Sequence, residues 1–473
     1  MKKMNRKIGM GVLWNLANLF FSRGATTVFT LLLARFLAPE AFGLVAMAAV
    51  VFELASAFVQ SGLGQALIRS KSVSDDDFNT VFLANLGLSV IAYAAVFFSA
   101  PYVAHFYDQP KLTILVQVMG LVVFINATKV VQLAVLSRAM NFKAQMKANT
   151  TASIASGALA VASAYYGLGV WSLVVMTLSQ AFISSVIFWF ASSWRPSMVF
   201  SSESFIKLFA FGKNLLAEGL LNVAFENSYV LVIGRFFSAE VTGLYFFAKK
   251  ISNLISHQLS SSVQQATFPA LSTLQDNNET LRHKYRQVMQ LMMFLIAPVM
   301  ALLGCLASPL FELLFDEKWQ GAVPYVQLLS LVGVLYPLHA LNINLLKVKG
   351  RSDLVLKIGL IKKIVNLTLL FLAIPYGVLA IAASQVVGSI LALIPNTYYS
   401  SKLVGYSLVS QLFDAGKPLF AALTASVCAH IFIDTISLPS SLKVIIGGVL
   451  ALSVFLAISK IIKAEALQLI LTS

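Results

Sequence analysis

The chain is poor in charge: of its 473 residues only 11% are Asp, Glu, Lys or Arg, while 58% are hydrophobic. A soluble globular domain carries about 25% charged residues, so that class is excluded. Cysteine is almost absent. Cys305 and Cys428 each stand alone in an apolar segment, without a second thiol or metal-ligand spacing nearby, so disulfides and thiolate metals are excluded and both read as buried structural residues. No glycine-rich phosphate cradle or nucleotide fold occurs, which removes ATP as a direct energy source. The loops on one side run from a few to about ten residues, too short to present the acid–base groups of a membrane glycan enzyme. The one acidic pair there, Asp316 and Glu317, adjoins Lys318 in a solvated turn. Strand-period alternation is missing as well, which argues against a membrane barrel.

What the chain does have is long apolar segments. Fourteen approach the roughly 20 residues that cross a ~30 Å hydrocarbon core as a helix, centred near Arg23, Glu53, Ile91, Phe124, Gly157, Phe182, Val223, Ser256, Ala301, Gly333, Leu367, Gly388, Ala425 and Leu452. The expected fold is therefore an all-α integral membrane protein of about 14 transmembrane helices. The first run, from Ile8, lacks a small-residue cleavage site and reads as a retained helix. About two thirds of the 34 basic residues fall on the side of the N-terminus, among them Lys2, Lys3, Arg138, Arg282, Arg286 and Lys460. Only Arg35, Lys111, Arg235, Lys318 and Lys443 lie at the opposite ends. This bias places both termini in the cytoplasm. The formal charge of +15 is then explained by attraction to anionic membrane lipids, and no nucleic-acid partner is expected.

The sequence repeats itself. "ARFLAPEAFGL" from Ala34 is echoed as "GRFFSAEVTGL" from Gly234, and the match runs on from "GLVAMAAVVFELASAFVQSGLGQA" at Gly43 to "GLYFFAKKISNLISHQLSSSVQQA" at Gly243. Further along, "VQVMGLVV" from Val116 matches "VQLLSLVG" from Val326. Two six-helix copies in the same membrane orientation follow, residues 1–200 and 201–405, with two helices appended over 406–473. The repeated turn ends one helix on a charged pair, and its glycine is expected to permit a tight reversal into the next.

The runs "LLLARFLAPEAFGLVAMA", "ALIRSKSVSDDDFNTVFLANLGLSVIAYAAVFFSAPYVAHFYDQP" and "LSRAMNFKAQ" resemble the polysaccharide-transport branch of the multidrug, oligosaccharidyl-lipid and polysaccharide exporter superfamily. Within it the chain is similar to Wzx-type flippases of the colanic-acid and teichuronic-acid export group. The resemblance implies a V-shaped, bilobed transporter of the bacterial inner membrane, with a central cavity lined mainly by the first two helices of each lobe. It implies passage of an undecaprenyl-pyrophosphate-linked oligosaccharide from inner to outer leaflet by alternating access. A polysaccharide polymerase and its assembly machinery would be partners. The alternatives are a drug/cation antiporter of the same superfamily and, behind it, a membrane-embedded glycan enzyme.

Six basic residues lie inside spans: Arg23, Lys129, Lys249, Lys250, Lys362 and Lys363. A charge in mid-membrane costs on the order of 3 kcal/mol, so each demands a reason. At about 100° per residue, Asn15, Asn18, Ser22 and Thr26 share one face of the first segment, with Arg23 at its edge. Glu53, Ser56, Gln60 and Gly64 share a face of the second, and Glu218, Asn222, Glu226 and Tyr229 a face of the seventh. The eighth presents Lys249, Asn253, Ser256, His257, Ser260 and Gln264. Such stripes are either hydrogen-bonding seams between helices or the wall of a hydrated cavity.

Arg23 and Lys249, with Lys250 and Lys129 as alternates, are candidates for the anionic pyrophosphate, because a guanidinium forks onto phosphate oxygens and an ammonium acts as a mobile point charge. Asn18, Asn222 and Asn253 would face the sugars. Glu53, Glu218, Glu226 and His257 could carry H⁺ or Na⁺, or neutralise the cations as ion pairs; no other cofactor is expected. Lys362 and Lys363 read as snorkelling side chains, a reading equally open to Lys129, and His339 as a packed or hydrogen-bonded histidine. Pro298, Pro324, Pro337 and Pro395 read as kinks, and Tyr102, Tyr107, Trp194 and Trp319 as interfacial anchors.

Overall fold

A computed structural model describes residues 2–60, 62–70, 72–436 and 438–472, with side chains described except at 2–13, 15–17, 19–20, 211, 213–215, 262, 265–266, 269 and 469–472. Every described element is helical. The chain divides into two compact units, Met1–Gly243 and Leu244–Ser473.

Unit 1 contains α1 (Lys2–Phe36), α2 (Pro39–Gln60), α3 (Leu63–Arg69), α4 (Asp75–Tyr107), α5 (Leu112–Met119), α6 (Leu121–Ala127), α7 (Val130–Arg138), α8 (Phe142–Tyr165), α9 (Trp171–Ala191) and α10 (Ser202–Phe236). The boundary between the units falls inside α11 (Ala239–Ser272). Unit 2 continues with α12 (Asn278–Cys305), α13 (Ala307–Leu314), α14 (Val323–Val348), α15 (Ser352–Ala373), α16 (Val378–Val404), α17 (Leu408–Thr435), α18 (Ser440–Ile461) and α19 (Glu465–Thr472). The centre of each of the fourteen expected segments lies in a helix.

Among the described residues, 11 segments are long and apolar enough to cross a membrane. The other long helices are α1, described only in part, and α8 and α11, which are rich in Ser, Thr, Asn and Lys.

Local signals set the boundaries. Ser74 caps α4 in a reciprocal box: its hydroxyl accepts from the Asp77 amide at 3.2 Å, and the Asp77 carboxylate accepts from the Ser74 amide at 3.0 Å. Asp75, Asp76 and Asp77 in the first turn meet the positive end of the helix dipole. Pro298, Pro337 and Pro395 do lie inside helices, but Pro324 sits in the first turn of α14, where its missing N–H costs nothing, so it starts a helix instead of kinking one.

Small residues let the helices approach. In unit 1, α8 turns Ala148, Ala152, Ser153, Ser156, Gly157 and Ala160 inward, and packs on α1 and α9. Phe29 of α1 lies over Gly157, where an added Cβ would come within 2.1 Å of the ring. The glycines of the repeated turn serve the same purpose. Neither Gly43 nor Gly243 has a positive φ, so the expected reversal is not their role. A Cβ on Gly43 would meet the Ala239 carbonyl oxygen at 1.8 Å, and one on Gly243 would meet that of Pro39 at 1.8 Å. The two copies of the motif cross backbone to backbone, and only hydrogen fits at the crossing.

Two other expectations change. Trp319 is fully buried against Phe247, with centroids 4.3 Å apart, and Tyr107 is 5% exposed, so both are core residues and not interfacial anchors. Cys428 is exposed and Cys305 half-buried. In a membrane helix the outward face is apolar too, so an apolar neighbourhood does not imply burial.

Replacing Gly43 by Val is expected to overpack the crossing and destabilise the protein by about 1–3 kcal/mol. Gly24→Ala, at a position with nothing within 4 Å, should cost nothing. The two thermal unfolding midpoints in detergent check this, and equal midpoints would refute the crossing.

Candidate functional site

Much of the expected stripe on α1 is consumed as a seam. Asn149 of α8 donates to Asn18 at 3.3 Å, Ser22 and Ser153 hydroxyls lie 3.1 Å apart, and Thr26 donates to Ser153 at 3.1 Å. Gln180 of α9 adds a further bond to Ser153, at 3.2 Å. Polar groups in hydrocarbon hold helices together in this way because the alternative is an unsatisfied group. Asn15 lies outside the described side chains. Arg23 flanks the seam and is exposed.

The α10 stripe is exposed over part of its length. Glu218, Asn222 and Glu226 are exposed, while Tyr229 turns into the core at 8% exposure. Beside Glu226, Asn227 donates to the exposed Glu53 carboxylate of α2 at 2.8 Å, linking the two helices.

Three of the sequence candidates converge. A cavity of ≈ 790 Å³ in unit 1 is lined by Lys129 from the α6–α7 junction and by Glu218 and Asn222 from α10, with Gln60 from the end of α2, Gln65 from α3 and Asn126 from α6. Lys129 and Asn126 also line a smaller cavity of ≈ 270 Å³ beside Asn149, Gln180 and Ser184. The ammonium of Lys129 donates to the Ser184 hydroxyl at 2.7 Å. It does not snorkel; the lysine stands between two polar pockets.

A break in the backbone puts it there. The segment centred near Phe124 was expected as one helix, but α6 ends at Ala127 and α7 begins at Val130. The Thr128 hydroxyl bonds back to the Ile125 carbonyl at 2.7 Å and meets the Ser185 hydroxyl at 2.7 Å. The carbonyl of Thr128, freed from the ladder, accepts from the Trp189 indole at 3.0 Å. No proline or glycine marks this break. The signal was Trp189, an indole inside an apolar helix that needs an acceptor.

The candidates on α11 divide by face. Ser252, Ser256 and Ser260 are buried within unit 2, Lys249 and Lys250 are half-buried, and Asn253 and His257 are exposed. The His257 ring stacks on Tyr336 of α14 at 3.8 Å. His339 behaves as expected of a bonded histidine. Its Nδ1 lies 2.7 Å from the Asn396 amide and its Nε2 2.9 Å from the Ser389 hydroxyl.

Sequence reasoning missed a second cluster. Arg286 of α12 grips Asp414 of α17 with two bonds of 2.8 Å and reaches Glu465 of α19 at 3.0 Å. Asp414 also accepts from Gln290 at 3.2 Å and Tyr406 at 2.7 Å. Burial first, and then the bond to Asp414, hold the Tyr406 phenol well above its ordinary pKa, so it stays a neutral donor.

An all-helical fold with 11 described segments long and apolar enough to cross a membrane, and with charged residues lining a cavity, is that of a multi-pass membrane protein. Solved structures share it. The lipid II flippase MurJ in an inward closed conformation superposes with a TM-score of 0.78 over 96% of this chain and 100% of that one, at 13% identity. An inward-facing multidrug resistance MATE transporter of the MOP superfamily gives 0.64 over 84% and 94%, at 15% identity. The particular family follows from sequence: the polysaccharide biosynthesis protein family matches residues 32–324, and the chain belongs to it. It is 26% identical to the succinoglycan biosynthesis transport protein ExoT of Rhizobium meliloti, over 94% of this chain and 90% of that one. The lipopolysaccharide biosynthesis protein WzxC of Escherichia coli is 24% identical over 90% and 88%.

Replacing Trp189 with Phe should leave the Thr128 carbonyl unsatisfied, at a cost of about 1–3 kcal/mol. The expected readout is a lowered unfolding midpoint together with faster amide exchange at residues 127–130; an unchanged exchange rate would show that the indole does not secure the break.

Proposed function

We propose that the protein is a flippase that moves a polyprenyl-pyrophosphate-linked oligosaccharide from the cytoplasmic to the outer leaflet of the bacterial inner membrane, for surface or exported polysaccharide. The observation that carries this reading is a lysine inside a polar cavity of a chain belonging to the polysaccharide biosynthesis protein family. The relatives' names supply the substrate class: succinoglycan transport and lipopolysaccharide biosynthesis.

The reading takes fourteen membrane helices with both termini cytoplasmic, arranged as lobes 1–200 and 201–405 with a C-terminal pair over 406–473. The lobes rock in alternating access, and an ion gradient drives them through Glu53, Glu218, Glu226 or His257. Arg23, Lys249, Lys250 and Lys129 hold the pyrophosphate, and Asn18, Asn222 and Asn253 contact the sugars. Placing a cation in mid-membrane costs on the order of 3 kcal/mol, and a phosphorylated headgroup offsets that cost where a neutral or cationic cargo would not. The drug-antiporter alternative lacks this support.

Lys129→Ala, Arg23→Ala and Lys249→Ala are each expected to reduce flipping of the cognate lipid-linked sugar in proteoliposomes at least tenfold at equal protein abundance. Glu53→Gln, Glu218→Gln and Glu226→Gln should abolish the dependence on an imposed gradient in at least one case. Wild-type flipping in all three cation variants would remove the pyrophosphate assignment, and undiminished gradient dependence in all three amides would remove carboxylate coupling.

A further inference from the structure

Unit 2 holds a second large pocket, of ≈ 780 Å³, that the transport reading does not use. Its walls are the first turns of α12, with Glu279, Arg282, His283 and Arg286, and the start of α17, with Tyr406 and Ser410. This end of unit 2 belongs to the side on which the chain concentrates its basic residues.

The charges here are not equivalent. Arg286 is committed to Asp414 and Glu465, and Asp414 in turn is saturated by Arg286, Gln290 and Tyr406. That cluster is closed on itself and braces the pocket wall. Arg282 is different: it is exposed, and no carboxylate among the described residues lies within ion-pair distance of it. Its guanidinium rests near Gly405, the left-handed residue at φ 70° that ends α16, where a Cβ would sit 3.5 Å from Nη1. His283 lines the pocket beside it.

Two helices also begin here. Asn277 and Ser407 cap α12 and α17 by accepting from Thr280 and Ser410, which leaves other first-turn amides of both helices available. Positive helix ends and an uncommitted guanidinium favour a compact anion with several acceptor oxygens. Glu279, in the exposed first turn of α12, is the one acidic side chain of the pocket outside the closed cluster. Beside the polar wall, Val409 and Phe413 of α17 also line the pocket and are 75% and 70% exposed, an apolar shelf suited to the chains of a lipid.

We propose that this pocket binds a phosphate-bearing headgroup at the membrane surface, with Arg282 as its principal contact and His283 as a second donor. The phosphate belongs to an anionic phospholipid or to a soluble anion, and the chemistry of recognition is the same for both. The site stands apart from the Lys129 cavity and does not rest on the flippase reading.

The test uses the full-length protein in nanodiscs of phosphatidylcholine, with and without phosphatidylglycerol, and separately with millimolar inorganic phosphate. The readout is the unfolding midpoint, not export. Arg282→Gln is compared with Lys284→Gln, an exposed residue of the same helix whose ammonium bonds Gln287 at 3.2 Å and does not line the pocket. Ser410→Glu, which places a carboxylate on the facing wall, is a second variant in case the first fails to fold. The expected result is a rise in midpoint for wild type and Lys284→Gln that falls by at least half in Arg282→Gln and Ser410→Glu. Loss in the phosphatidylglycerol arm assigns the site to lipid, and loss in the phosphate arm alone to a soluble anion. Equal rises in all four proteins, or an equal loss in Lys284→Gln, would overturn the proposal.

Discussion

Hydrocarbon offers no hydrogen bonds, and most of what this fold does with its polar residues follows from that constraint. A polar group in a span is stabilised by a protein partner or by a pocket that admits water. Ser153 shows the first solution. Its hydroxyl meets Ser22, Thr26 and Gln180 and so ties three helices of unit 1 together. Lys129 shows the second, anchored on Ser184 but opening onto polar cavities on two sides. A bond of that kind is worth about 1 kcal/mol, less than the roughly 3 kcal/mol a buried charge costs. The surplus is why a lysine there signals a hydrated site, whereas a serine signals only a seam.

Two helices of unit 1 meet this constraint differently. The polar face of α1 is largely closed by α8, with Asn18, Ser22 and Thr26 all engaged. That of α10 stays exposed at Glu218, Asn222 and Glu226. Among the described residues, the second contributes Glu218 and Asn222 to the wall of the larger unit 1 cavity. The α2 helix takes part in both kinds of contact: Glu53 accepts from Asn227, and at its other end Gly43 allows the close crossing with the start of α11. A polar clasp and a glycine crossing both hold without side-chain interdigitation.

In unit 2 the same rule produces a closed cluster. One carboxylate, Asp414, gathers an arginine, an amide and a phenol, and Arg286 carries the link on to α19. Its members come from separate stretches of chain, so the cluster fixes the ends of α12, α17 and α19 together. It also fixes which neighbouring basic residue is left over.

How much of this was legible depended on whether the signal was local. Composition and the spacing of apolar segments determined an all-helical membrane protein, because length and hydropathy govern whether a helix can cross a bilayer. The stripe periodicity placed Glu218 and Asn222 among the candidates, and a lone charge in an apolar run placed Lys129 there. Tertiary structure alone decided which stripe residues are covered, since Asn18 is half-buried and Asn222 exposed although both are asparagines on long helices. It alone decided that Trp319 is core and Cys428 surface, because a lipid-facing side chain and a core side chain are equally apolar. It also decided that the helix breaks at Lys129, where the acceptor is a carbonyl and the donor an indole some sixty residues away. Partners that far apart along the chain leave no periodic trace in it.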